Sequence, residues 1–429
     1  MPDAVLNVSA PPLTLAELVN EAQRLQSAGR TDAAVALYQQ WLQDGPQPLR
    51  HVAQFNLGTL LGSLQRTGEA EAAYRTAIEL EPASPEAWSN LGNLLTEALR
   101  LEEAEAAYRK ALDLDPRSAE PWSNLGNAQR EQKRFEAAIE SLERARVLKP
   151  TLDYVQGTLL ATRMRICDWT SFASDTADLA RAIAAGRKAA KPFDVLSLSA
   201  DPGVQRAAAE TWSQDRWPQP APALALGTKQ AKDKITVGYF SADFHDHATA
   251  QLMIGFFERH DRSAFETIAF DFGPRRDDEM ARRLAVAFDR FMDVRAMADG
   301  DIADLSRRLG VDIAVDLKGF TQDSRPGIFA RRAAPIQVSY LGYPGTLGCG
   351  WMDYLIADPV VVPPASYGFY AEKIVQLPHS YQVNDAERPI ADTPFVCPVD
   401  GAVSQLGPIA RDVAANALHD PRPPRAVHP

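Results

Sequence analysis

The sequence predicts an α-helical repeat array in its first third and a parallel α/β lobe behind it. Two patterns predict this fold class. Residue types recur every 34 positions in the first third, and short β-branched or aromatic runs alternate with helical segments from Lys234 onward. The chain has 429 residues, of which 45% are hydrophobic and 24% are charged, which is typical of a globular protein with two or three domains.

The repeat is carried by tryptophan, glycine, alanine and proline. Trp88 and Trp122 are 34 residues apart. The smaller residues keep this spacing in three series, which are Gly58, Gly92 and Gly126; Ala70, Ala104 and Ala138; and Pro82, Pro116 and Pro150. One full unit covers residues 85–118, and a looser unit covers about residues 15–42.

Each unit is predicted to be a helix–turn–helix. Pro85 stands where a helix begins, because a proline there loses no hydrogen-bond donor that the helix needs. Gly92 and Ala104 are small enough for two helices to approach closely, and Pro116 ends the second helix. We therefore expect a short N-terminal tail over residues 1–14 and about three and a half to four repeats over residues 15–150, more than the roughly three that a stable stack needs.

A stack of such units has a concave surface that can hold an extended polypeptide. Asn56, Asn90 and Asn124 recur at one position of the first helices. A ladder of amides can hydrogen-bond a peptide backbone without reading its sequence. The alternative is that each asparagine only satisfies its own helix surface, and the sequence leaves both readings open.

Residues 151–233 are predicted to link the array to the lobe. Alanine and arginine are frequent up to about residue 203, which favours helices, whereas residues 218–233 have the proline and alanine content of a linker. The boundary to the second domain is expected within residues 227–233.

Strands and helices alternate through residues 234–397. The predicted strands are 235–240, 265–272, 291–294, 311–317, 336–341 and 354–356. The predicted helices are 249–260, 277–289, 301–309 and 325–332. This alternation predicts a parallel sheet with helices on both faces, hence a Rossmann-like lobe.

A polar turn follows the first of these strands directly. It carries the carboxylates of Asp243 and Asp246 and the imidazoles of His245 and His247. In open α/β sheets the ligand crevice lies at the carboxyl ends of the strands. We therefore expect the chemistry of the lobe at this turn.

Charge and cysteine content exclude several classes of function. The net charge of −11 and the pI of about 5.2 argue against a nucleic-acid partner or an anionic membrane. Cys167, Cys349 and Cys397 are far apart and in no metal-ligand pattern, which favours a reducing compartment and predicts no metal site. The chain also lacks a secretory start and a long apolar run, so we expect a cytoplasmic protein.

Four stretches together resemble the O-GlcNAc transferase family. They are VGYFSADFHDHATAQLM, FDRFMDV, DLKGFT and FARRAAPIQVSYLGYPGTLGCGWMDYLIADPVVVPP. The units of the first third resemble tetratricopeptide repeats (TPR), and a TPR array ahead of the catalytic domain is the architecture of that family. The resemblance covers about residues 15–397.

The resemblance implies an inverting, metal-independent glycosyltransferase with a two-lobed GT-B fold, of which residues 234–397 would be the first lobe. It implies UDP-GlcNAc as donor, no further cofactor, and acceptor proteins held by the TPR array. His247 and Asp243 match the motif positions at the reaction centre. The positions that line the sugar and phosphate pocket match Thr249, Leu341, Gly342, Tyr343 and Pro344.

Plainer roles compete for the same residues. A histidine in such a turn often caps a helix or is solvated, and Asp243 could also cap the helix that follows it. His245 is expected to lie in an exposed loop, and Cys349 to be a small packed residue. The arginines of two short pairs are expected on solvated faces rather than as phosphate clamps, namely Arg275, Arg276, Arg331 and Arg332.

The family pattern stops near Cys397. Residues 398–429 show no strand–helix alternation and are expected to be an irregular tail outside the family, from a shifted reading frame or an early stop. The second, UDP-binding lobe would then be missing and this polypeptide would transfer little or no sugar. The alternative function is a TPR adaptor with a remnant lobe; an oxidoreductase is disfavoured because no G-x-G-x-x-G follows the first strand.

Overall fold

The computed structural model describes residues 13–43, 49–221 and 233–387. Most of the predicted N-terminal tail, most of the stretch 222–233, residues 388–397 of the predicted lobe and the whole predicted tail 398–429 lie outside the described residues.

Eight helices form the repeat array within the described residues. They pair in sequence as α1 with α2, α3 with α4, α5 with α6 and α7 with α8. Their bounds are α1 Leu15–Ser27, α2 Thr31–Gln43, α3 Arg50–Ser63, α4 Thr67–Leu80, α5 Pro85–Glu97, α6 Leu101–Leu114, α7 Ala119–Glu131 and α8 Phe135–Leu148.

The recurring glycines mark the closest approach of two paired helices. A Cβ atom on Gly58 would lie 2.8 Å from the Tyr74 ring, and one on Gly92 would lie 2.6 Å from the Tyr108 ring. At Gly126 the neighbour is Leu142, at 2.7 Å. Since atoms that are not bonded repel each other at such distances, only glycine fits here, and the second helix packs its large side chain on the glycine of the first.

The recurring tryptophans and prolines are joined by hydrogen bonds. Trp88 Nε1 donates to the Pro82 carbonyl at 3.1 Å, and Trp122 Nε1 donates to the Pro116 carbonyl at 3.0 Å. Each indole thereby ties the start of one repeat to the end of the repeat before it. The 34-residue spacing of both residue types is a consequence of this contact.

Four further helices follow the array. They share a small core of their own that includes Leu160, Ile183 and Val195. Their bounds are α9 Val155–Arg165, α10 Phe172–Ala184, α11 Pro192–Leu198 and α12 Pro202–Arg216.

The lobe contains a seven-stranded sheet whose described pairs are all parallel. Its strands are β1 Ile235–Ser241, β2 Phe265–Asp271, β3 Arg290–Asp293, β4 Ile313–Asp316, β5 Ile336–Ser339, β6 Tyr354–Ala357 and β7 Lys373–Gln376. Their order in the sheet is β3-β2-β1-β4-β5-β6-β7. The helices of the lobe are α13 Ala248–Glu258, α14 Glu279–Ala287, α15 Asp299–Arg308 and α16 Gly327–Ala330.

Helices cover both faces of this sheet, as predicted. On one face, Met253 and Ile254 of α13 pack with Leu284 of α14. On the other face, Ile302 of α15 packs with Phe329 of α16. The TPR array followed by a Rossmann-like parallel lobe is therefore confirmed.

Two parts of the lobe differ from the sequence prediction. Strand β7 was not predicted, because its four residues follow a short 3₁₀ helix, Pro364–Phe369, instead of a long amphipathic segment. Helix α16 has four residues where 325–332 was predicted, since Pro326 fixes its start and Arg332 adopts a left-handed φ of 62°. Within the described residues, no helix is both long and apolar enough to span a bilayer.

Candidate functional site

The candidate site lies where the sheet order reverses. After β1 the chain adds β2 and β3 on one side of β1, and then crosses over to place β4 on its other side. The carboxyl ends of β1 and β4 are therefore neighbours with connections leading in opposite directions. This is the position at which open α/β sheets form their ligand crevice.

A buried ion pair joins the turns after these two strands. Lys318, which follows β4, donates to both carboxylate oxygens of Asp243, at 2.9 and 2.8 Å. The two residues are only 5% and 7% exposed. A pair removed from water in this way is stable only while both partners are present, because either charge alone would be buried without compensation.

His247 stands at the start of α13 and reaches the same carboxylate. Its Nδ1 lies 3.5 Å from Asp243 Oδ2 and accepts a hydrogen bond from the Thr249 backbone N–H at 3.2 Å. The imidazole is thus the N-cap of α13, and 41% of its side chain is exposed. Asp243 faces Lys318 instead of the helix, so the capping role considered for Asp243 belongs to His247.

Nδ1 of His247 has two competing partners. Nδ1 can accept from the Thr249 N–H only when Nδ1 carries no proton. Its contact with the Asp243 carboxylate is favourable when Nδ1 carries a proton that it can donate. In a neutral ring with the proton on Nδ1, the lone pair of Nε2 is free. Only that arrangement leaves Nε2 able to take a proton from a hydroxyl group.

The LGYPGT turn after β5 packs directly on the turn after β4. A Cβ atom at Gly342 would lie 2.0 Å from the Leu317 carbonyl oxygen, so only glycine fits there. Gly319 has a φ of +58°, and a Cβ on it would lie 2.4 Å from Tyr343. Leu341 adopts a left-handed φ of 67°. The predicted donor turn is thereby contiguous with Lys318, and through it with Asp243 and His247.

A buried glutamate fixes the far end of this turn. Thr346 Oγ1 donates to Glu372 Oε2 at 2.6 Å, and the Leu347 N–H donates to Glu372 Oε1 at 2.7 Å. Glu372 is 4% exposed, and burial raises the pKa of its carboxyl. These bonds fix the end of the turn.

The residues predicted to bind the donor differ in accessibility. Thr249, Leu341 and Gly342 are half-buried, and Pro344 is exposed. Tyr343 is buried, with its ring centroid 5.4 Å from that of Phe320. Its side chain therefore packs in the interior.

Asp316, at the end of β4, is a second buried carboxylate beside the site. It is 2% exposed, and one oxygen accepts from the Lys318 N–H at 2.9 Å. Its Oδ2 is buried and has no hydrogen-bond partner among the described residues. Burial raises the pKa of Asp316 to about 6, against the opposing effect of backbone N–H groups and the Lys318 charge.

Lys318, Asp316 and Glu372 were not predicted as site residues. The first two lie in DLKGFT, at the end of the fourth predicted strand (311–317) and directly after it, so their place at the carboxyl edge was a usable signal. Lys318 contacts a residue 75 positions earlier in the chain, and no local pattern reveals that partner. Glu372 precedes the strand that was not predicted.

Three of the plainer expectations can be compared with the structure. Cys349 is a buried thiol whose pKa burial raises, as expected for a packed residue. His245 is half-buried instead of exposed, and burial lowers its pKa. Arg332 was expected on a solvated face, but it is 4% exposed and donates to the Asp353 carboxylate at 2.8 Å. That expectation was wrong because Arg332 connects two elements of the core.

The three recurring asparagines are half-buried and have internal partners. Asn56 is hydrogen-bonded to Tyr38, and Asn90 to Tyr74. Asn124 Nδ2 donates to Asn93 Oδ1 at 2.9 Å, and the same oxygen accepts from the Tyr108 hydroxyl. Each amide has further donor and acceptor capacity, so these bonds leave room for a bound backbone.

Family models match most of the described chain. Residues 221–393 match the model of glycosyl transferase family 41. Residues 19–85, 55–119 and 91–153 match the model of the tetratricopeptide repeat.

Two curated relatives are named as peptide N-acetylglucosaminyltransferases that use UDP-N-acetylglucosamine. The probable enzyme of Arabidopsis thaliana is 38% identical over 152 residues, which is 35% of this chain and 16% of the relative. The enzyme of Caenorhabditis elegans is 33% identical over 157 residues, which is 36% of this chain and 14% of the relative. The chain thus spans less than a fifth of the length of these two relatives.

A solved mutant O-GlcNAc transferase of Thermobaculum terrenum is also similar. It is 28% identical, with a TM-score of 0.49 over 87% of this chain and 67% of that one. Residues 221–393 of the chain are therefore similar to glycosyl transferase family 41, and its helical array is similar to the tetratricopeptide repeat.

Proposed function

We propose that this chain carries the repeat array and the first catalytic lobe of a protein O-GlcNAc transferase. The whole enzyme would transfer N-acetylglucosamine from UDP-GlcNAc to serine and threonine hydroxyls of proteins held by the repeats. The observation that carries this proposal is the contiguous set of His247, Asp243, Lys318 and the LGYPGT turn at the reversal of strand order. We further propose that the lobe is half of a GT-B fold and that the protein acts in the cytoplasm.

His247 and Asp243 would act on the acceptor hydroxyl. In an inverting transfer the hydroxyl attacks the anomeric carbon as UDP leaves, and its proton must be taken up. His247 Nε2 can take that proton when Nδ1 donates to Asp243, which then stabilises the imidazolium that forms. Lys318 holds Asp243 in place and prevents it from turning to cap α13.

Thr249 and the LGYPGT turn would receive the sugar and the phosphates. The half-buried Leu341 and Gly342 would present their backbone to the donor, and the lack of a side chain at Gly342 lets the turn pack on Leu317 and Lys318. The amides of Asn56, Asn90 and Asn124 would hold the backbone of the acceptor polypeptide along the array. No residue of this proposal requires a metal ion.

The polypeptide of residues 1–429, assayed alone, is expected to transfer little or no sugar. The described residues supply one lobe, and in the resemblance the other lobe makes most contacts to UDP. Without those contacts, the charge that develops on the leaving diphosphate would be stabilised mainly by water.

Thermal unfolding with added ligands tests the donor site. UDP-GlcNAc and UDP at millimolar concentration should raise the unfolding temperature saturably, because they bind the folded state only. Uridine should have no effect, since this lobe is proposed to contact the sugar and the phosphates. If none of the ligands raises the unfolding temperature while an extended peptide still binds, the donor site is refuted and a TPR adaptor is favoured.

A further inference from the structure

Helix α11 connects the end of the repeat array with the LGYPGT turn. On one side, Arg130 Nη1 of α7 lies 3.7 Å from Asp194 Oδ1 of α11, a distance too long for a hydrogen bond. Next to Asp194 in the chain, the ring of Phe193 lies 6.4 Å from the ring of Tyr343, measured between centroids. A polypeptide held by the array and presented to the proposed donor turn would therefore pass α11.

A second asparagine recurs on the first helices of the array, three positions after Asn90 and Asn124. It is Asn93 in the third repeat and Asn127 in the fourth. Asn93 Oδ1 accepts two hydrogen bonds, one from the Tyr108 hydroxyl and one from Asn124 Nδ2, both at 2.9 Å. Within the array this amide oxygen is therefore satisfied.

Asn127 Oδ1 has lost both of these donors. The residues 34 positions after the two donors are Leu142, whose side chain has nothing to donate, and Thr158, which does not bond to this oxygen. Asn127 Oδ1 is buried and has no hydrogen-bond partner among the described residues. Arg130 lies three residues further along α7 and hence on the same face. The last repeat thus ends with an unused acceptor on the side that meets α11.

Helix α11 and the residue before it add two charged groups without hydrogen-bond partners. Asp194 Oδ2 is buried and unpartnered among the described residues, and 14% of the side chain is exposed. The Lys191 ammonium group forms no hydrogen bond or ion pair within residues 13–43, 49–221 and 233–387. Burial raises the pKa of Asp194 and lowers the pKa of Lys191, as expected for charges that have left water without a close partner.

Neither sign of charge prevails at the centre of this site. Arg130 and Glu131 both act on Lys191 and on Asp194, so two cations and two carboxylates lie together. A bound cation would lie near Lys191 and Arg130, and a bound anion would lie near Asp194 and Glu131. Because like charges repel strongly where water is scarce, a neutral ligand with both donors and acceptors fits this site best.

Two further arginines act on one of the two groups each. Arg216 acts on Lys191, and Arg165 acts on Asp194. Arg216 also acts on the carboxylates of Glu97 and Asp215. The surroundings thus add two cations and two carboxylates, and the balance of charge is kept.

We propose that Asn127, Lys191 and Asp194 bind backbone peptide groups of the acceptor polypeptide, at the point where it passes from the array to the LGYPGT turn. This inference rests on the proposed function and adds a subsite that contacts backbone instead of side chains. A peptide group is neutral and has one N–H donor and one carbonyl acceptor. The Lys191 ammonium group can donate to a carbonyl, and the oxygens of Asn127 and Asp194 can accept from N–H groups. Each of the three groups then gains the partner that it lacks.

Calorimetric titration of the 429-residue chain with a peptide tests this subsite. The probe is a peptide of alanine, serine and threonine, acetylated and amidated so that it carries no charge. The double variant Lys191→Met with Asp194→Asn should weaken its binding about tenfold or more, because two charge-assisted hydrogen bonds are lost. Asn127→Ala should weaken it about threefold or more, since one neutral hydrogen bond is lost.

Stability separates a binding role from a structural one. The double variant should be as stable in urea as the unmodified chain or more stable, because it removes two buried charges that lack close partners in the free protein. A structural role would lower the stability and leave peptide binding unchanged. Lys110→Met with Asp113→Asn is the matched control, since both residues are exposed on α6. It should bind the peptide as the unmodified chain does.

Three results would overturn the proposal. Equal affinity of the two double variants would refute the subsite, and the asparagine ladder would stand if Asn90→Ala still weakened binding. A lack of saturable peptide binding to the unmodified chain would refute the subsite and the ladder together. Tighter binding of the same peptide with added lysine or glutamate, lost in the double variant of Lys191 and Asp194, would assign these groups to a charged side chain.

The proposed donor site is tested separately. Stabilisation by UDP-GlcNAc should be the same in the unmodified chain and in the double variant of Lys191 and Asp194. Failure of this subsite is thus distinct from failure of the donor site.

Discussion

The ammonium group of Lys318 lies 2.8 Å from the carboxylate of Asp243, and both side chains are removed from solvent. The pair connects the two strands between which the sheet order reverses. His247 Nδ1 lies 3.5 Å from Oδ2, the same oxygen that Lys318 reaches at 2.8 Å. Asp243 therefore contacts a buried ammonium group and a partly exposed imidazole, and the two contacts can be separated by substitution.

Replacing Lys318 alone should destabilise the lobe strongly. Lys318→Met leaves the Asp243 carboxylate buried and unpaired, which costs about 3–5 kcal/mol of unfolding free energy. The double variant Lys318→Met with Asp243→Asn should recover most of that loss, because no buried charge remains. Urea unfolding monitored by circular dichroism measures both. Equal stability of the single and double variants would show that the pair does not carry this energy.

Gly342 should tolerate no side chain. In Gly342→Ala the new Cβ would meet the Leu317 carbonyl at 2.0 Å, so the LGYPGT turn must move away from the turn after β4. We expect a loss of about 1–3 kcal/mol of stability and of any stabilisation by UDP-GlcNAc. Gly350→Ala is the control, since nothing lies within 4 Å of its Cβ position. A Gly342→Ala protein that melts and binds like Gly350→Ala would contradict the packing described here.

Asp316 should make stability depend on pH between about 4 and 6. Its pKa is raised from 3.8 to about 6 by burial, so the folded state binds the proton more tightly than the unfolded state. The stability it contributes is complete below pH 3.8 and is lost as the pH rises through about 6. Asp316→Asn lacks this loss, which amounts to about 3 kcal/mol at most.

The measurement is the difference in unfolding free energy between Asp316→Asn and the unmodified chain. The difference should move in favour of the variant as the pH rises from 4 to 6, and it should be constant above about pH 7. Asp323→Asn, at an exposed position, should show no such trend. A flat difference for Asp316→Asn would mean that the carboxyl keeps an ordinary pKa in the folded protein.

The asparagine ladder can be separated from its internal hydrogen bonds. Asn90→Ala removes both the bond to Tyr74 and the amide proposed to bind a peptide, whereas Tyr74→Phe removes internal bonds alone, those of Tyr74 to Asn90 and to Thr59. We expect Asn90→Ala to weaken the binding of an extended peptide about three- to tenfold, since one net hydrogen bond is lost. Tyr74→Phe should change it less than twofold. Fluorescence anisotropy with a labelled peptide distinguishes the outcomes, and equal affinities would assign Asn90 to packing alone.

The parts of the fold that sequence could predict are those with local or periodic causes. The 34-residue period follows from contacts such as those of Gly92 with Tyr108 and Trp88 with Pro82, which lie within one unit or its border. The first six strands are runs of β-branched and aromatic residues, and each was located to within a few residues of its observed bounds. The turn that carries His247 and Asp243 was predicted as a site because ligands bind at the carboxyl edge of such a sheet, and the catalytic role of both residues was predicted from the family resemblance.

The parts that sequence could not predict depend on contacts between distant segments. Lys318 and Asp243 are 75 positions apart, and their pairing requires that β4 lies beside β1. The burial of Arg332 likewise depends on Asp353 and on Trp351, whose carbonyl it reaches from a left-handed turn. Composition ranks such residues as surface residues, and only the completed sheet order shows otherwise.

The bonds from Glu372 to Thr346 and Leu347 also set an order of events during synthesis. The segment that contains Thr346 leaves the ribosome before the glutamate that completes its shape. Until about residue 372 has emerged, the end of the LGYPGT turn lacks its hydrogen bonds to Glu372, while the repeats and the first strands can already fold. In a ribosome-bound chain stopped shortly before Glu372, the repeat array would therefore be folded while the LGYPGT turn still lacked the carboxylate that fixes it.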